Sequence, residues 1–200
     1  VIRLLSLERM TPYLQTCNDD LNQAFELYNW NIEAASALLG TCGMVEVVIR
    51  NSIDLALTEW TEQVHPGIEW FDLPVWDNHA QATIYQARQR AARSSASSVT
   101  HGKILAELSF GFWRFLTSKR HLTSLWTPAL HEAFPFGNQD IWSRQKEVSR
   151  ALVTMTLIRN RAAHLEPVFK RNLSRDLAQA ELLMSWIDPN ATAWLVEATT

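Results

Sequence analysis

Apolar residues recur along this chain at the three- and four-residue spacing of a helix, and no strand-like alternation persists beyond four or five residues. That periodicity constrains the fold more than any other feature. It predicts an all-α protein of about seven to nine helices, in a single domain over 1–200. Ser6 is placed to cap a first turn, and Thr11-Pro12 reads as a restart, an N-cap followed by proline at the first helical position. Asp19-Asp20 open a helix through Leu21, Ala24, Phe25, Leu27 and Tyr28, and Asn29-Trp30-Asn31 interrupts or caps it. A long helix then runs over about 32–62, where Gly40 and Gly43 bend it or admit a close backbone, until His65-Pro66-Gly67 ends it. Residues 68–77 form a packed aromatic loop, 78–93 a helix, and Ser94-Ser95-Ala96-Ser97-Ser98 a flexible connection. Thr100 starts a helix that carries Gly111-Phe112-Trp113, and short helical pieces occupy 122–133. Helices over about 139–165 and 168–185 follow, with a last one capped by Asp188-Pro189.

The cysteines Cys17 and Cys42 are too few for a disulfide framework and lack metal-ligand spacing, so they read as reduced thiols of a cytoplasmic protein. No run of about 18 uncharged apolar residues exists, which predicts no membrane span. No signal peptide is visible, and the opening Val1-Ile2-Arg3 lacks an initiator Met. The net charge of −3 hides an uneven distribution. Residues 1–83 carry a balance of −9, whereas 84–121 and 141–175 each carry +6. Either the basic segments form a face for phosphates, or they are ordinary solvated helix surfaces. Arg88, Arg90, Arg93, Arg161, Lys170 and Arg171 are the candidate RNA contacts.

One stretch carries chemistry, Arg159-Asn160-Arg161-Ala162-Ala163-His164. Val148, Leu152, Val153, Met155 and Leu157 supply the helix that bears it, and Pro167 places His164 in the last turn. Asn160 and His164 share a face, while Arg159 and His164 stand about 140° apart on an ideal helix. Cleaving RNA requires a proton taken from a 2′-OH, one given to the leaving 5′-oxygen, and charge to stabilise the phosphorane. Histidine performs either proton transfer near neutral pH, and arginine offers a permanent forked charge. Read alone, so short a string fits a plain helix end better, with Arg capping carbonyls and His packed on a neighbour. Upstream, Glu46 and Arg50 are spaced as a helical ion pair within an apolar stretch, either a structural pair or the lining of a site with Asn51. Six scattered histidines, no Gly-rich phosphate loop and no G-x-S-x-G leave other enzyme classes without support, and no metal or cofactor is implied.

Several segments, in order along nearly the whole chain, resemble the Abi-like (abortive infection) family of the HEPN superfamily. They are Ser6-Leu7-Glu8-Arg9-Met10-Thr11-Pro12-Tyr13-Leu14, Ala24-Phe25-Glu26-Leu27-Tyr28-Asn29-Trp30-Asn31 and Glu46-Val47-Val48-Ile49-Arg50-Asn51. Further along come Leu108-Ser109-Phe110-Gly111-Phe112-Trp113, Leu125-Trp126, Arg159 to Pro167, and Trp186-Ile187-Asp188-Pro189. The resemblance implies a HEPN-like helical bundle with additional helices and, for active members, metal-independent RNA cleavage by a toxin or phage-defence effector. It assigns Arg159 and His164 to the catalytic R-x4-6-H pair with Asn160 as polar companion. Glu46, Arg50, Asn51 and Glu166 are expected to support the site. It also implies a homodimer that pairs two motifs, and toxicity implies restraint by an antitoxin protein or RNA. The family commonly reads His-His-Glu-Pro at the motif's end, and here Leu165 stands at the second His. The alternative function is a non-catalytic helical module that binds RNA, nucleotides or proteins.

Overall fold

The computed structural model describes residues 2–94 and 98–199, apart from the side chains of Ile2 and Arg3. Ser95, Ala96 and Ser97 of the expected flexible connection therefore lie outside the described residues. Among the described residues there are nine α-helices and no strand, as the periodicity predicts. They are α1 (Ile2–Leu5), α2 (Leu7–Thr16), α3 (Leu21–Val64), α4 (Asn78–Arg93), α5 (His101–Ala106), α6 (Phe110–Leu116), α7 (Ile141–Ala163), α8 (Leu173–Ser185) and α9 (Pro189–Thr199). Short 3-10 turns at Trp70–Asp72, Lys119–His121 and Leu130–Ala133 and a π turn at Leu122–Trp126 fill the connections.

The axis of the molecule is α3, whose 44 residues extend roughly 66 Å. Asp20 caps its start by accepting from the backbone N–H groups of Asn22 and Gln23. By length and composition α3 could cross a membrane; in this fold it packs against α7, α2, α8, α6 and α9. It also corrects the expected break at Asn29-Trp30-Asn31, because the helix runs straight through. Asn31 is fully buried and directs its amide to another segment, so its side chain does not compete for the local backbone as a cap would. Nothing lies within 4 Å of a Cβ added at Gly40 or Gly43, so no close backbone explains either glycine.

Three further boundaries differ from the sequence reading. Ser6 caps α2 on the Arg9 N–H, so the helix is already formed when it reaches Pro12, and Thr11 turns its hydroxyl back to the Leu7 carbonyl rather than capping forward. The single helix expected to start at Thr100 and carry Gly111-Phe112-Trp113 is two, separated at Leu108-Ser109, where Ser109 is extended. The helix expected over 168–185 begins only at Leu173, since Val168 is bonded to Asn31 and Asn172 caps α8.

The main core gathers Val45, Ile49, Ile53 and Leu57 of α3 against Val148, Leu152, Met155 and Ile158 of α7. Each fully buried aliphatic side chain there contributes roughly 1.5–3 kcal/mol. Trp70, Trp113 and Trp126 fill the same core. A smaller cluster, Met10, Tyr13, Ala24 and Tyr28 with Phe169 packed on it, joins α2 to the segment after α7. Val153 and Leu157, which the sequence suggests as core, lie on the outer face of α7 at 38% and 55% exposure.

Candidate functional site

Asp140 starts α7 by accepting from the Ser143 N–H, and the helix ends at Ala163 with His164 as its C-cap rather than inside the last turn. The stop is a Schellman motif. Leu165 N–H donates to the Ala162 carbonyl and Glu166 N–H to the Arg161 carbonyl, with Leu165 at φ 51°. Leucine is strained there, since a left-handed residue crowds its own Cβ, and His is among the residues enriched at such angles. Pro167 then prevents the helix from resuming.

Two residues from other helices fix this turn. Arg9 of α2 donates to the carbonyls of His164 and Leu165 at 3.2 and 3.1 Å. Asn31 of α3 donates to the Glu166 carbonyl at 3.3 Å and accepts from the Val168 N–H at 2.7 Å. Arg161 and Glu166 form an ion pair of 3.6 Å across the turn. Sequence reasoning overlooked Arg9 and Asn31 as site residues. The available signal was Asn31 itself, a helix-disfavouring polar residue within a strongly helical run.

His164 is exposed, and its ring makes no hydrogen bond or ion pair among the described residues. Arg159 has partners of its own. Its guanidinium donates weakly to Asn160 Oδ1 at 3.5 Å, and its charge acts on Cys42 and Glu46 of α3. Among the described residues no hydrogen bond joins Arg159 to His164, which agrees with their separation of about 140° around the helix. Burial raises the Glu46 carboxyl above the ordinary carboxylate range, against the opposing pull of Arg159, Arg50 and the Phe110 backbone N–H. The gap between α5 and α6 is what leaves that N–H free to face Glu46. Burial likewise pushes the Cys42 thiol up to about 12. Glu46 and Arg50 do not meet at ion-pair distance; Arg50 Nε donates to Asn51 Oδ1 at 3.4 Å.

His101 and His121 are engaged elsewhere. His101 lies between Asp54 (2.7 Å) and Glu69 (3.3 Å), and it packs on Phe71. His121 is buried beside Phe115, and burial first of all pushes its imidazole below the usual range. Among the described residues no three metal-ligating side chains gather.

The candidate RNA contacts divide sharply. Arg88 is bidentate to Asp72 at 2.8 Å, Arg90 binds both the carboxylate and the carbonyl of Glu107, and Arg171 is bidentate to buried Asp176 at 2.6 and 2.7 Å. Their charges are matched within the fold. Arg161, Lys170 and Arg175 border a polar cleft of about 440 Å³ beside the motif turn, Lys170 lying over the Phe169 ring. Arg93 is exposed in the last turn of α4.

The exposed residues Trp142, Lys146, Arg150, Val153, Leu157, Asn160 and His164 follow one another at spacings of three and four, so they share the outer face of α7. Comparison with protein-family models, with curated proteins and with solved structures finds no match for this chain.

Proposed function

We propose that this chain is an Abi-like HEPN endoribonuclease that cleaves RNA without a metal ion. The observation that carries the reading is His164. Its ring is exposed and unengaged, on a turn that Arg9 and Asn31 hold in place. A proton-transfer group gains from such fixed placement, because misorientation costs rate steeply. His164 takes the 2′-OH proton, the 2′-oxygen attacks phosphorus, and the products end in a 2′,3′-cyclic phosphate and a 5′-hydroxyl. Arg159 stabilises the phosphorane, and its charge also acts on the Glu46 carboxyl.

One histidine cannot serve as base and acid in the same in-line step. His101 is held by two carboxylates and His121 is buried, so neither completes the site within one chain. The second proton-transfer group is therefore assigned to the His164 of a second copy. The stripe Val153, Leu157, Asn160, His164 supports an isologous pairing, since two apolar residues lead along one face to the motif.

The separation of Arg159 from His164 favours a second reading, a non-catalytic RNA-binding module. Incubating purified protein with total RNA in excess chelator separates the two. The nuclease reading expects cleavage that survives chelation, falls at least a hundredfold in His164→Ala, and stops at a 2′-deoxy substitution at the cut site. RNA binding without cleavage would establish the module instead.

A further inference from the structure

A cleft of about 420 Å³ opens at the first half of α7, lined by Lys119, Leu122, Trp142, Gln145, Lys146 and Arg150. Its residues divide into a floor, a flat wall and a cationic rim. Gln145 is the floor, buried and fixed by donating to the Thr117 carbonyl at 2.7 Å. Trp142 is the wall, 46% exposed like Trp30 and Trp194 elsewhere, whereas Trp70, Trp76, Trp113 and Trp126 are buried. Its backbone is fixed too, because the Trp126 indole donates to the Ile141 carbonyl at 2.8 Å. Lys119, Lys146 and Arg150 form the rim, exposed and in no ion pair among the described residues. Of the acids on this stretch, Asp140 accepts from Ser143 and feels the Lys146 charge, and Glu147 accepts from the Asn138 amide.

An exposed indole with three unmatched cations has the chemistry that recognises a nucleotide. The ring face accepts any base by stacking, and the cations take phosphates. We propose that this cleft is a nucleotide subsite, in which a base of single-stranded RNA stacks on Trp142 and Leu122 while Lys119, Lys146 and Arg150 hold the flanking phosphates. The proposal rests on the RNA reading above and adds where the strand is gripped. Lys146 and His164 share a helix face about 27 Å apart, a span within the reach of the 4–16 nucleotides that single-strand binders typically cover. The subsite therefore sets which distant part of a strand must be unpaired for a bond at His164 to be cut.

The test uses the full chain carrying His164→Ala, so that binding is read without cleavage. A fluorescein-labelled 12-nucleotide single-stranded RNA and AMP are the probes, followed by anisotropy and by intrinsic fluorescence respectively. Trp142→Ala should weaken RNA binding about tenfold, and Trp142→Phe, which keeps a stacking ring, should weaken it less than about threefold. The pair Lys146→Ala and Arg150→Ala should flatten the log–log salt dependence by about 1.4 units, roughly 0.7 for each phosphate contact on a single strand. Circular dichroism shows whether each variant is folded, and the exposed positions make all of them tolerable. If the parent binds RNA but neither set of variants changes it, the subsite is overturned and the RNA reading stands. A loss confined to one set overturns it as well, since one cleft is to hold both base and phosphate. AMP bound through Trp142 with no RNA bound makes this a free-nucleotide site and defeats both readings, and so does binding of neither probe.

Discussion

Two segments of this chain, 84–121 and 141–175, carry the same charge balance of +6, and among the described residues ion pairs engage three of the seven cations in the first but only two of the eight in the second. In the first, Arg88 meets Asp72, Arg120 meets Asp77 and Arg90 meets Glu107. Two of those three acids come from the acidic first part of the chain, which folds back against α4 and the 119–121 turn. In the second, Arg171 and Arg161 find acids, but among the described residues Lys146, Arg150, Lys170 and Arg175 do not, and they stand along α7, the connection after it and the start of α8. The lesson is that a segment's net charge says little about its field. What decides is whether acids from elsewhere are brought within ion-pair distance, and that is a tertiary fact.

The largest expected effect tests whether a matched cation is structural. Asp176 is 6% exposed and depends on the forked contact with Arg171. Arg171→Ala leaves that carboxylate buried and unpaired and should destabilise the fold by about 2–3 kcal/mol, less than a fully buried pair because Arg171 itself is partly solvated. Arg175→Ala, at a neighbour in no ion pair among the described residues, should change stability by under about 0.5 kcal/mol. Urea denaturation of both variants gives the comparison. Equal stability would mean that the Arg171 pair is no more than a solvated contact, and the division between matched and unmatched cations would lose its energetic meaning.

The all-helical class was legible because helical spacing survives in nearly every segment, and so were the ends of α3 and the start of α4, where Asp20, Pro66 and Asp77 act locally. The misreadings share one cause. Asn31 looks like a cap until its long-range partners Glu166 and Val168 are known, and Pro12 looks like a start until Ser6 is seen to have begun the helix already. At the candidate site the sequence singled out Arg159, Asn160 and His164, and it quoted Glu46, which the fold sets under the influence of the Arg159 charge. It could not show that among the described residues no hydrogen bond joins Arg159 to His164, nor that Lys119, Lys146 and Arg150 border Trp142. Both depend on which helix packs where.

A second, smaller effect concerns the turn that separates Arg161 from Lys170 in the basic segment around α7. Leu165 holds φ 51° at the Schellman position, where a side chain with low cost in the left-handed region fits better. Leu165→His introduces a side chain enriched at such angles and should raise stability by up to roughly 1 kcal/mol. The same variant places a second imidazole beside His164. If cleavage in chelator rises with it, the second histidine contributes to proton transfer. If stability rises while the rate does not move, a histidine at 165 acts on the turn's conformation alone. A loss of stability would show that the Leu165 side chain contributes more by packing than its backbone angle costs.

The smallest expected effect lies in the segment 84–121, and it decides the comparison most directly. Arg88 and Arg90 lie in a basic run and were natural candidates for phosphate contacts, yet each guanidinium already faces a carboxylate at 2.8–2.9 Å. A phosphate arriving there must displace Asp72 or Glu107 and gains only the difference between two anions. The pair Arg88→Gln and Arg90→Gln should therefore alter RNA affinity by less than about twofold and the salt slope by less than about 0.3, well below the 0.7 that a single lost phosphate contact produces. Measured beside the Lys146 and Arg150 variants under one set of salt conditions, the two doubles remove the same formal charge from the chain. A general electrostatic attraction would make them equal. Unequal slopes, with the larger change at α7, would mean that RNA responds to the cations the fold leaves unmatched.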